Sequence, residues 1–301
     1  MKNTPPFLNV GDIIGIVAPA RKISLPELEP ALQIFNEWGL NVTLGNAIFG
    51  SDNQYSGTDD ERTHDLQKML DDEKIKAVFF ARGGYGTVRI IDRLDFSNFI
   101  KRPKWLIGYS DITVIHAHVH NISGIETLHG AMPVNFSGSD YSKATLTSLK
   151  NTLFGKPLKY TLKHHPLNKK GIARGVLVGG NLSVLYSLKG SKSDIDTKNK
   201  ILFIEDLDEY LYHIDRMMMC LKRAGQLEHL AGLIVGGMSK MNDNLIPFGK
   251  SPYEIISETI NEYSFPVCFN FPAGHIKDNR ALIMGRKIEM SVAQDVSINF
   301  S

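Results

Sequence analysis

Five short apolar runs recur between residues 12 and 130: DIIGIVAPA (12–20), LNVTLG (40–45), IKAVFFARGG (75–84), KWLIGYS (104–110) and IETLHG (125–130). They are too short to be helices, and apolar on both faces. Segments of helical period separate them. That alternation constrains the chain more than any other feature, because it is the pattern of a parallel sheet covered by helices on both faces. Two capping boxes fix the helices. Ser24-Leu25-Pro26-Glu27 opens one that Gly39 stops, and Thr58-Asp59-Asp60-Glu61 opens another that runs to about Asp72.

Residues 135–172 change character. Ser, Lys and His become frequent, with one short helix and LKYTLKHHPLNKKG, which has room for an edge strand. From Gly175 the alternation resumes: GVLVGG, a helix from Leu182, ILFIED (201–206), a helix near 210–224, HLAGLIVGG (229–237), a helix at 252–262, PVCFNF (266–271) and strands within 281–299. The expected fold is α/β, with an N-terminal parallel-sheet α/β domain (1–135), a connection (136–172) and a second, mixed α/β C-terminal domain (173–301) with a more antiparallel end.

The 301 residues suffice for one large or two ordinary domains with buried cores. With 43% hydrophobic and 22% charged residues, and a net charge of +2 without a basic stripe, nothing calls for nucleic acid as a partner. No run approaches the ~18 apolar residues of a membrane helix, so no membrane partner is expected. MKNTPPFLNVGDIIGIVAPA ends in the signal-like Ala18-Pro19-Ala20, but Asp12, Pro5-Pro6 and Gly11 interrupt it, and it reads as the lead-in to a first strand. Cys220 and Cys268 lie in apolar segments without metal-type spacing. They read as buried free thiols in a reducing, cytoplasmic setting.

The stretch IGYSD (107–111) joins a strand to a helix. Ser110 there is either a helix N-cap or a nucleophile at the ligand-binding end of a sheet. It resembles the nucleophile elbow, but Ile112 stands where G-x-S-x-G has its second Gly. A nucleophilic serine needs a base and an acid that orients it. Among ten histidines, His116, His118 and His120 spread around a helix, His164 and His165 lie in the connection, and His64, His213 and His229 read as surface or packing positions. His275 follows Phe271-Pro272-Ala273-Gly274 at a strand end, where a loop can deliver an imidazole to a cleft or simply carry an ordinary histidine. Glu205 ends ILFIE, a carboxylate withdrawn from water that needs a partner, although Asp206, Asp208 and Glu209 beside it make it less distinctive.

Arg82-Gly83-Gly84-Tyr85-Gly86 follows a strand and precedes a helix, the context of an anion cradle. It fails G-x-G-x-x-G at Arg89, and Gly232 to Gly237 lacks the Lys of a phosphate loop. Free amides at Gly83 or Gly84, with that of Asp111, would suit an oxyanion hole. Gly179-Gly180-Asn181 is a second strand-end loop, open to close packing or cleft lining.

Taken together, ARGGYG, IGYSD, GxLxGGN (175–181), FIED with Tyr212-His213-Ile214-Asp215-Arg216, and PAGH resemble the serine LD-carboxypeptidase family, which comprises muramoyltetrapeptide carboxypeptidases and microcin-immunity hydrolases. The resemblance runs from about Gly11 to about Met290, with the motifs in family order. It implies Ser110 as nucleophile, His275 as general base and Glu205 as its orienting acid, with the Gly84 and Asp111 amides as the oxyanion hole. It implies a homodimer, no metal or organic cofactor, and a murein tetrapeptide as the small peptide substrate, cleaved to release D-Ala. Such a substrate ends in a carboxylate, for which Arg82 is one candidate partner, unless Arg82 is a structural pairing residue. Gly83, Tyr85 and Asn181 are the other candidate substrate contacts. The alternatives are a microcin-type peptidyl-nucleotide hydrolase, for which neither Trp38 nor Trp105 is clearly placed to stack a base, and a non-catalytic anion-binding protein.

Overall fold

The computed structural model describes residues 4–137 and 141–301; residues 1–3 of the expected first domain and 138–140 of the expected connection lie outside the described residues. The first sheet has the order β11-β5-β4-β3-β1-β2. Its strands β1 (Ile13–Val17), β2 (Asn41–Leu44), β3 (Ile75–Phe80), β4 (Trp105–Gly108) and β5 (Thr127–His129) all pair in parallel. Each falls inside one of the five apolar runs. The helices Leu25–Glu37 and Asp59–Asp71 begin where expected. The Glu61 carboxylate accepts the Thr58 amide at 2.8 Å, and the Glu27 carboxylate accepts the Ser24 amide at 2.9 Å.

The second sheet has the order β10-β9-β8-β7-β12-β13-β6. β7 (Gly171–Asn181), β8 (Ile201–Leu207), β9 (Gly232–Ser239) and β10 (Val267–Cys268) are parallel. β12 (Lys287–Val292), β13 (Asp295–Phe300) and β6 (Lys159–Lys163) continue the sheet antiparallel, with β6 as its edge strand.

One strand departs from the expected division. β11 (Leu282–Met284) leaves the second half and pairs antiparallel with β5, closing the edge of the first sheet. All three of its residues are buried, packed in a core that also holds Leu128, Ile107 and Phe203. An apolar trio finds its burial there, against a sheet edge that would otherwise face water. Both core clusters contain residues from the two sheets, so the halves pack together in each of them.

Candidate active site

The chain just after β4 and the carboxyl-terminal part of β8 are linked through His275. Ser110 begins the turn Ser110–Ile112 one residue after β4, with φ of 64°. A non-glycine residue in the left-handed region costs about 1–2 kcal/mol, and such strain concentrates at functional sites. Gly108 explains why one glycine suffices. A Cβ on it would lie 2.8 Å from Ile112, so the isoleucine packs down over the bare backbone, and the second glycine of the elbow pattern is not needed. The cap reading of Ser110 does not hold: the helix Thr113–Ser123 is entered through Ile112, with no side-chain cap.

The Ser110 hydroxyl lies 3.0 Å from His275 Nε2. On the other edge of the imidazole, Nδ1 is 2.7 Å from Glu205 Oε2, which also accepts the His275 amide at 3.1 Å. Glu205 is fully buried within β8, two residues before its end. Burial works to raise its pKa, but the charge and hydrogen bonds of His275 override this and hold the carboxyl below its ordinary value. Burial likewise pushes the imidazole down, and Glu205, by charge and hydrogen bond, lifts it above the ordinary histidine value. Gly274, at φ 105°, passes so close to Glu205 that a Cβ would lie 2.5 Å from Oε2; here only glycine fits. The Tyr109 ring packs 4.8 Å from the imidazole and limits its swing.

The glycine loop lies against the serine. A Cβ on Gly83 would stand 3.2 Å from Ser110 Oγ, and Gly84 has φ of 110°. Two buried charges that sequence reasoning did not assign hold the loop. Asp111 accepts the Thr87 amide at 2.9 Å; burial raises its pKa, with the hydrogen bonds from Thr87 opposing. Arg62, 1% exposed, binds the carbonyls of Pro19 and Gly86, the latter at 3.1 Å. An arginine on the inward face of a helix was the available signal for it. Among the described residues, the Gly84 and Asp111 amides donate to no protein acceptor.

A cavity of about 360 Å³ opens over Ser110 and His275, lined also by Arg21, Arg82, Gly83, Gly84, Asn181 and Asp206. A second, of about 420 Å³, lies past His275 and reaches Tyr141, Lys240 and Lys277. Asn181 lines the first, but its side chain is engaged within the protein. It donates to Asp206 Oδ1 at 2.9 Å and accepts the Val184 amide at 3.1 Å. Asp206 is the neighbour that made Glu205 look less distinctive. It also takes the Ser183 and Leu207 amides, each at 2.9 Å, and burial, with the Glu205 charge, pushes it up to about 7. Arg82 pairs with Glu27 at 3.1 Å, which matches the structural alternative. Tyr85 does not line the cavity; it lies half-exposed beside Tyr55. Trp38 and Trp105 are both buried.

A strained serine, an imidazole and a buried carboxylate, joined in series at the ends of parallel strands, define the class as an α/β enzyme of serine-hydrolase type. Residues 14–130 match the LD-carboxypeptidase N-terminal domain and residues 174–290 the LD-carboxypeptidase C-terminal domain; the chain belongs to the LD-carboxypeptidase family. It is 38% identical to the probable murein peptide carboxypeptidase of Bacillus subtilis (strain 168), over 98% of this chain and 93% of that one. Among solved structures, the muramoyltetrapeptide carboxypeptidase from Oxalobacter formigenes superposes with a TM-score of 0.86 at 26% identity, covering 96% of this chain and 98% of that one. The microcin C7 self immunity protein MccF superposes at 0.88 over 99% and 98%, but at 21% identity that likeness shows the fold alone.

Proposed function

We propose that this protein is a serine carboxypeptidase that cleaves the L,D-peptide bond of murein tetrapeptides and releases D-alanine in cell-wall recycling. The Ser110–His275–Glu205 series of contacts carries the reading. Ser110 Oγ attacks the carbonyl carbon while its proton passes to His275 Nε2. The oxyanion sits at the Gly84 and Asp111 amides. When the C–N bond breaks, His275 returns the proton to the departing amine of D-alanine, leaving an acyl-enzyme ester on Ser110. Water then attacks the ester, deprotonated by His275, and Ser110 recovers its proton as the tripeptide leaves. Glu205 fixes the tautomer of His275 and balances the imidazolium.

The reading extends to a cytoplasmic homodimer. The two free cysteines suit a reducing compartment. The family resemblance and the strongly exposed Leu245 and Ile246 support self-association, which sedimentation at several concentrations tests. For the activity, the test is incubation with a murein tetrapeptide and assay of free D-alanine. Release by wild type and none by Ser110→Ala is the expected result. Turnover of a peptidyl-nucleotide with no release from the tetrapeptide would favour the microcin-type alternative instead.

A further inference from the structure

A substrate whose last residue departs with a free carboxylate brings one negative charge into the cleft, one residue's length from the bond that breaks. Arg82, beside the glycines, is engaged: its guanidinium is held by Glu27 at 3.1 Å and the Lys22 carbonyl at 3.3 Å. Arg21 is the other arginine lining the Ser110 cavity, and among the described residues it forms no ion pair. Its backbone is fixed, since its amide donates to the Gly83 carbonyl at 3.4 Å and the residue bridges to Tyr55.

Its side chain crosses the cavity wall in one direction. A Cβ on Gly84 would lie 2.1 Å from Arg21 Cδ and 2.5 Å from Cγ, so the stem runs over the bare face of that glycine. Gly83, the preceding residue, faces Ser110 at the distance given above. The two glycines are adjacent, with α-carbons about 3.8 Å apart, so the Ser110 side chain and the Arg21 stem lie against neighbouring residues of one wall. In such a substrate the carboxylate of the single departing amino acid likewise lies one residue from the scissile carbonyl. A glycine at 84 therefore has a second use besides its left-handed backbone: it makes room for the arginine.

We propose that Arg21 is the residue that reads the terminal carboxylate of the leaving D-amino acid, and so makes the enzyme a carboxypeptidase rather than an endopeptidase. The planar fork of a guanidinium matches a carboxylate with two parallel hydrogen bonds. Because the other arginine is held by Glu27, the incoming charge meets one unpaired guanidinium on this wall. The inference rests on the carboxypeptidase reading of the preceding section.

The test compares two substrates, a tetrapeptide ending in D-alanine and the same peptide ending in D-alaninamide, on wild type, Arg21→Gln, Arg21→Lys and Lys240→Gln. Wild type is expected to prefer the acid by on the order of 10- to 100-fold in kcat/KM, the worth of hydrogen bonds to a charged group. Arg21→Gln should lose that preference by slowing on the acid while keeping its rate on the amide, which also reports an intact fold and intact chemistry. Arg21→Lys should restore part of it. An Arg21→Gln enzyme that keeps the wild-type ratio, or loss of the ratio in Lys240→Gln instead, overturns the assignment of Arg21. A wild-type enzyme that releases neither D-alanine from the acid nor D-alaninamide from the amide overturns the carboxypeptidase reading itself, which is a different failure.

Discussion

His275 Nε2 lies 3.0 Å from Ser110 Oγ although 165 residues separate them in the chain, and Glu205 holds the opposite ring nitrogen at 2.7 Å. As a base the imidazole must be neutral, so the rate falls as pH drops through its pKa. Since Glu205 lifts that pKa despite burial, the acidic limb of kcat/KM for wild type should lie above the ordinary histidine value of about 6.5. Glu205→Gln removes the lift, and its residual activity should persist to lower pH than that of wild type. A pH–rate profile of each enzyme decides; an unmoved limb in the variant contradicts the coupling.

Ser110 at φ 64° is expected to sacrifice stability for exposure of its hydroxyl. Ser110→Ala keeps the strained backbone, whereas Ser110→Gly relieves it. The glycine variant should be more stable than the alanine variant by about 1 kcal/mol, the left-handed penalty less part of the entropy cost of glycine. Urea titrations of the two measure this. Equal midpoints would mean that the turn is not strained.

Gly83→Ala tests the closeness of the glycine loop to the hydroxyl. The added methyl would sit 3.1 Å from Ser110 Cβ and 3.3 Å from Met132 Cε. With the methionine free to yield and the serine pinned by its turn, the fold should survive. The expected loss in kcat is on the order of 100-fold, since small displacements at the reacting centre cost about that much. Near-wild-type turnover would show that the loop has room to spare.

Asp206 gives a pH-dependent stability of definite sign. Its pKa is raised in the folded state to about 7 from an ordinary value of 3.8, so between those limits the folded chain binds more protons than the unfolded one. Stability from this group is therefore present at low pH and declines as pH rises through that window. Thermal midpoints measured across it should fall more steeply in wild type than in Asp206→Asn. Parallel curves would place the proton elsewhere.

The five parallel strands of the first sheet were legible because each is a short apolar run bounded by caps and glycines. The edge strand β11 was not, because three apolar residues next to β12 give no local sign of which sheet they join; the choice is made by long-range burial. At the site, Ser110 and Glu205 each had an equally good local explanation in the sequence, a cap and a helix-opening acid. Only the order of several motifs favoured chemistry. Arg62 and Asp206 escaped for a different reason. Their work is done through contacts with backbone amides and carbonyls distant in sequence, which no periodicity encodes. Arg82 and Arg21 show the same limit, since nothing in the string ARGGYG reveals that Glu27 already occupies one guanidinium.

The most direct test of the account is the rate of D-alanine release from a murein tetrapeptide by wild type and Ser110→Ala at equal, verified folding. Release by wild type and a loss on the order of 10⁶ in kcat for the variant are expected, by analogy with other serine triads. Release by Ser110→Ala at a rate near that of wild type would contradict it.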